Sequence, residues 1–242
     1  MPNTLTGSKR LEVADLMNSS VILSEYDEDS QREYFGSLAH MYVGAKVGDE
    51  KFKEICQGRA EAPAAAGHLF STCGEWAQFL LERAGYRGPI LNRDLWYAGQ
   101  KSQAWQDGKN IEYLFSRARK AGAFSEYLLS KQKSKRPQCG DICYIAVQGQ
   151  PSTEHVFMFE GNDPLDGSTY ELWTSFDGGQ GGLTTQHIAE CHRMFKDGIL
   201  YGAHQDANGR WLPAGEGRPL IGWLNIALLE FTAPANLIVP SA

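Results

Sequence analysis

The chain has 242 residues, 42% of them hydrophobic and 21% charged, with a formal net charge of −6. That is enough apolar material for a real core without low-complexity tracts, and the acidic balance excludes a phosphate-backbone binder; no nucleic-acid partner is implied. Five cysteines form an odd set in a chain too long to need disulfide staples, so free thiols are expected.

Residues 1–60 read as a helical N-terminal extension, with one apolar-periodic segment around Leu11, Ala14, Leu16 and Met17 and a second around Tyr34, Phe35, Leu38, Met41 and Tyr42. The acidic stretch from Tyr26 to Asp29 separates them, and His40 on the second periodic face reads as a core or rim histidine. No signal-peptide h-region follows Met1 and no stretch reaches bilayer length, so no membrane insertion is expected. Synthesis in the cytoplasm without a Sec signal is the expectation. Gly58 to Gly67 is a small-residue linker into residues 61–242, taken as one catalytic domain.

That domain opens on Phe70-Ser-Thr-Cys73-Gly-Glu-Trp76, where Trp76, Phe79, Leu80 and Arg83 recur at helical spacing, Ser71 or Thr72 caps the start and Gly85 stops the helix. Cys73 therefore lies in the first turn, where the helix dipole and backbone N–H groups stabilise a thiolate and can receive an oxyanion. Its alternative is a small buried hydrophobe. Aromatic and polar residues follow, including Asn92, Trp96, Tyr97, Trp105 and Tyr113, and helical spacing resumes at Ile111, Leu114, Phe115 and Ala118.

From Pro137 the period becomes that of strands: one entering at Ile142 and running to Val147, one over residues 154–160 and one over residues 168–176, an antiparallel meander ending in the glycine-rich loop 177–182. A helix is expected from Thr184 to His192, a loop from Gly202 to Gly217, and a closing strand over Leu220 to Leu229.

A thiol nucleophile needs a base, and the base an orienting group. His155, at the opening of a strand, is the candidate base, with His68 a rival. Pairing of 155–160 with 169–175 puts Ser175 opposite His155, and alternation by twos places Glu171, Ser175 and Asp177 on one face. Asp177 is the candidate orienting carboxylate; Ser175, Gln180 and Glu171 remain alternatives. Gly74, Trp76 and Gln180 are candidate substrate contacts. A metal is not required. A zinc site from Cys139 and Cys143, or from His187, Cys191 and His192 on the expected helix, is the competing arrangement, although the first pair lacks knuckle spacing.

Thr72-Cys73-Gly74-Glu75-Trp76, Cys139-Gly140-Asp141-Ile142 and His155-Val156-Phe157-Met158, in this order, resemble the CHAP and NlpC-like cysteine peptidases and amidases of bacterial cell-wall metabolism, over roughly residues 65 to 180. The resemblance implies an α+β, papain-like fold, with the cysteine-bearing helix packed on an antiparallel sheet, and hydrolysis of amide bonds in peptidoglycan peptides without a cofactor. It makes Asp141 a turn-capping residue. The interval from His155 to Asp177 is longer than that family's usual one. Without a Sec signal, such a hydrolase reads as a delivered antibacterial effector or phage-type lysin, with an immunity protein as its partner. A deamidase, transglutaminase or protease toxin acting on a protein, and a non-catalytic binding module, are the other readings.

Overall fold

The structure is a computed structural model that describes residues 21–55, 72–91, 110–127, 136–148, 150–180 and 186–233. The first apolar segment, the Gly58–Gly67 linker, His68, Ser71 and the aromatic stretch from Asn92 to Trp105 lie outside those residues. Helix α1 (Glu28–His40) starts where the Asp27 carboxylate accepts the Ser30 N–H at 2.7 Å, satisfying one of the donors that a helix start leaves unpaired. Helices α2 (Glu50–Ile55) and α3 (Thr72–Arg83) follow. Helix α3 stops as its composition predicts. Gly85 takes φ +90°, its N–H bonds Glu82 O at 3.0 Å, and the Tyr86 N–H bonds Leu81 O at 3.0 Å, the Schellman arrangement that a residue without a Cβ permits. Helix α4 covers Asn110–Lys120. Among the described residues no helix is long and apolar enough to cross a membrane.

Seven strands make the rest: β1 (Phe124–Glu126), β2 (Ile142–Val147), β3 (Gln150–Pro164), β4 (Glu171–Gln180), β5 (His187–Lys196), β6 (Ile199–Gln205) and β7 (Trp211–Leu224). All neighbours are antiparallel. The second half of β7 pairs with β2 (Leu220↔Ile145, Leu224↔Ile142) and its first half with β6 (Pro219↔Ile199, Trp211↔Gln205). One long strand thus joins both ends of the series, and β2 to β7 close into a six-stranded barrel, leaving no open edge between them. Strand β1 lies outside, on the other edge of β7 (Phe124↔Leu224).

The papain-like α+β expectation is therefore corrected: this is a closed antiparallel barrel with few helices, not a helix on a sheet. Three local readings concealed it. Residues 184–192, expected as a helix, belong largely to β5; the stretch 202–217, expected as a loop, contains most of β6 and half of β7; the closing strand begins at Trp211 instead of Leu220. The glycine-rich stretch 177–182 continues β4 as far as Gln180, with a register shift in which Gly179 takes φ +81°.

Strand alternation sorts the apolar residues into two cores. Cys143, Ile145, Phe157, Phe159, Trp173, Phe195, Leu200, Leu220 and Trp223 come from all six barrel strands and fill the lumen. The opposite parity, including Ile142, Val156, Met158, Phe176 and Leu224, packs against the helices together with Trp76, Phe79, Leu80, Phe35 and Phe231. Helix α1 belongs to this second core. His40 is exposed at its end, its ring edge-on to Phe176 at 5.9 Å.

Asp141 and Arg32 join α1 to the start of β2. The Asp141 carboxylate, 1% exposed, accepts Arg32 Nη1 at 2.9 Å, the Gln138 N–H at 2.9 Å and the Ile226 N–H at 3.1 Å. Arg32 also donates to Cys139 O at 2.8 Å and Asn225 Oδ1 at 3.1 Å. Removing one partner of a buried ion pair leaves the other charge uncompensated, so Asp141→Ala is expected to cost about 3–5 kcal/mol, read from the urea midpoint. A loss under ~1 kcal/mol would show that the pair is not structurally required.

Candidate functional site

Cys73 is the second residue of α3 and is buried at the helix start. The side chain of Trp76, three residues on, is fully buried, and its indole Nε1–H donates to Phe176 O at 3.2 Å. Phe176 precedes Asp177 in β4, so this bond sets the cysteine helix in register with the carboxylate strand. Trp76, expected as a substrate contact, is enclosed by Tyr42 and Phe79 and positions α3. Gly74 is buried in the first turn of α3. Gln180 ends β4, its backbone paired with His187.

His155 lies on β3 with the parity of Phe157 and Phe159, hence at the edge of the lumen, and is paired with Ile145 of β2. Its Nε2 is 2.5 Å from Asp177 Oδ2. The Cys73 side chain is its other polar partner, acting on the imidazole by charge and by hydrogen bonding. Burial disfavours the imidazolium, but the Cys73 thiolate and Asp177 carboxylate beside it prevail and raise the His155 pKa to about 9.

The hairpin register differs from the expected one. Strand β3 runs on to Pro164 with a bulge between Phe159 and Gly161, and the residue opposite Phe159 is Ser175, with Phe157 opposite Asp177. His155 therefore meets Asp177 diagonally, two residues beyond the direct pair, a separation long side chains span. Glu171, the alternative, sits at the other end of β4, where it accepts Arg136 at 2.7 Å and Trp173 Nε1–H at 3.2 Å.

Asp177 is fully buried and accepts three further hydrogen bonds, from Ser175 and Arg193. Ser175 Oγ donates to its Oδ1 at 2.8 Å, Arg193 Nη1 donates to Oδ1 at 3.0 Å, and Arg193 Nη2 donates to Oδ2. Arg193 Nη1 also donates to Ser175 Oγ, and the guanidinium lies 4.4 Å from the centre of the Phe157 ring. Burial would raise the Asp177 pKa; the Arg193 charge and the His155 hydrogen bond overcome that and hold it well below the usual carboxylate range. The carboxylate is therefore ionised at neutral pH, and it orients His155 without taking its proton.

Arg193 is the residue that sequence reasoning missed. Assigning 184–192 to a helix ended that element just before it, whereas on β5 it faces Trp173 across the ladder, on the same face as Ser175 and Asp177. The available signal was an arginine in the β-prone run Cys191-His-Arg-Met-Phe195, since a charge in such a run calls for a buried partner.

The same change of element separates the expected zinc ligands. His187 and Cys191 are four residues apart on a strand, about 13 Å, and His192 points to the opposite face, stacked on Trp211 at 4.7 Å. Cys143 is buried in the lumen, and the Cys139 thiol donates to Arg32 O at 3.7 Å. Among the described residues no group of three or more His, Cys, Asp or Glu is placed to hold a metal.

A thiol at a helix start, an imidazole bonded to it and an ionised carboxylate behind the imidazole can together form a thiolate–imidazolium pair, attack a carbonyl carbon and protonate a leaving amine. Comparison of the chain with family models, with curated proteins and with solved structures returns no match, so the likeness to CHAP and NlpC-like enzymes rests on the motif residues alone.

Proposed function

We propose that the protein is a cysteine-dependent amide hydrolase acting on the peptides of bacterial peptidoglycan. The observation that carries the reaction class is the continuous chain Cys73, His155, Asp177, Arg193, in which each polar group fixes the next. The Cys73 thiolate forms a bond to the scissile carbonyl carbon, and the carbonyl electrons move to oxygen near the first-turn N–H groups of α3. Collapse of this adduct breaks the C–N bond as the His155 imidazolium gives its proton to the nitrogen. Neutral His155 then takes a proton from water, which attacks the thioester, releasing a carboxylate and restoring the thiolate. Asp177 holds the ring throughout.

The substrate class is supported by the ordered trio of cysteine helix, Gly-Asp turn and His-Val strand. On this reading the protein is a delivered antibacterial effector or phage-type lysin, and an immunity protein covering the barrel mouth is the partner expected in a producing cell.

Digestion of purified muropeptides, with products weighed by mass spectrometry, tests both parts. Fragments whose masses account for one added water at a peptide or sugar–peptide amide are expected. The rate should fall as pH rises through about 9, because a raised histidine pKa keeps the imidazolium below that value and loses it above. Intact muropeptides alongside release of ammonia from, or amine exchange on, a protein glutamine would replace the substrate class and keep the thiol chemistry.

A further inference from the structure

The chain Cys73–His155–Asp177–Arg193 leaves a second lumen guanidinium unassigned. Arg218 of β7 pairs directly with Leu200 of β6, and direct cross-strand partners share a face. Leu200 is in the lumen core, as is Leu220, two residues along β7. Leu220 in turn pairs with Ile145, and Ile145 with His155, a row of three strands about 10 Å across. One inward step beyond Leu220, Arg218 stands at the His155 end of the lumen. The two guanidinium groups differ in access: Arg193 is buried and clamps Asp177, whereas Arg218 is half-buried. Asp177 and Cys73 attract the Arg218 charge and Arg193 repels it. Burial and that repulsion together depress its pKa. A guanidinium beside a nucleophile has an evident chemical use, since its planar donors match a carboxylate.

We infer that Arg218 forms an anion subsite next to Cys73, which selects substrates carrying a free carboxylate close to the scissile amide. This deepens the hydrolase reading and rests on it. In the bound complex the guanidinium holds the carboxylate while the thiolate meets the neighbouring carbonyl, so the residue sets specificity and takes no part in proton transfer.

Two alkylating reagents that differ in charge provide the test, with no need for the natural substrate. Iodoacetate is an anion and iodoacetamide its neutral counterpart; both form the same kind of C–S bond and release iodide. Burial raises the pKa of Cys139 to about 11 and of Cys191 to about 12, and peptide mapping at neutral pH reads the Cys73 adduct separately from those of the other four cysteines. The iodoacetate-to-iodoacetamide rate ratio at Cys73 should exceed that of glutathione by roughly tenfold or more. It should collapse to the glutathione value in Arg218→Gln and be largely kept in Arg218→Lys. Acetate should also protect wild-type Cys73 from iodoacetamide, a readout that stands even if Arg218→Gln does not fold. A wild-type ratio no higher than that of glutathione, or one unchanged in folded Arg218→Gln, overturns the subsite while leaving the nucleophile in place. Slow labelling of Cys73 by both reagents overturns the nucleophile itself, and the subsite with it.

Discussion

Cys73→Ala is expected to abolish amide hydrolysis, a loss on the order of 10⁵- to 10⁶-fold in kcat, as when the nucleophile of a covalent mechanism is deleted. The fold should be kept. The side chain is small and lies at the edge of the helix-side core, so truncation removes one sulfur and opens little space. Cys73→Ser should be nearly as inactive, because an alcohol beside an imidazole with a pKa of about 9 provides no comparable anion. Turnover is measured on muropeptides, and integrity by thermal unfolding of the same samples. Hydrolysis by Cys73→Ala within tenfold of wild type would remove the mechanism. Binding without turnover in wild type, unchanged by the substitution, would identify a binding module.

The second large effect is at Asp177 and Arg193, where catalysis and stability can be separated. Asp177→Asn keeps the shape but leaves the Arg193 guanidinium buried beside a neutral amide. It should lose about 3–5 kcal/mol of stability and roughly ten- to a thousandfold in kcat, with KM little changed, since the imidazolium is stabilised chiefly in the transition state. Arg193→Met strands the carboxylate instead and should be destabilised to a similar degree. The double variant Asp177→Leu with Arg193→Met removes both charges; it should recover most of the lost stability and none of the lost turnover. Urea unfolding and single-turnover kinetics are compared for wild type, the two single variants and the double variant. Recovery of turnover together with stability would mean that the pair serves the fold alone, and full activity in Asp177→Asn would strike it from the mechanism.

The residues of the site were more legible than the architecture around them. The start of α3 was visible because capping, dipole and apolar spacing are local properties, and Gly85 closed the helix for a reason written in one residue. Asp177 was reachable from parity: a two-residue period puts it on the His155 face in the expected register and in any register displaced from it by an even number of residues. The register itself was not reachable, because the bulge at Phe159–Gly161 depends on contacts with neighbouring strands. Barrel closure was hidden for a related reason. Strand β5 mixes polar and apolar residues in a pattern that satisfies helical spacing, and half of β7 is exposed and rich in glycine and proline, so neither segment announces its pairing. Arg193 depended on both, since only a strand at that position points the side chain at Asp177.

Closure by a single late strand also sets a timetable. Ribosomes deliver a chain from its N-terminus at about 5–20 residues per second, so the helix bearing Cys73 emerges first. The imidazole, carboxylate and guanidinium follow in that order, and β7 comes after all of them. Until Leu220–Leu224 pairs with β2, the long-range contacts that seat His155 and Asp177 have no closed wall to hold them, and contacts so distant in sequence form slowly. For on the order of ten seconds, the nascent polypeptide carries an ordinary thiol on a lone amphipathic helix. On the proposed reading, the thiol meets its imidazole and carboxylate in final form only as the last strand docks.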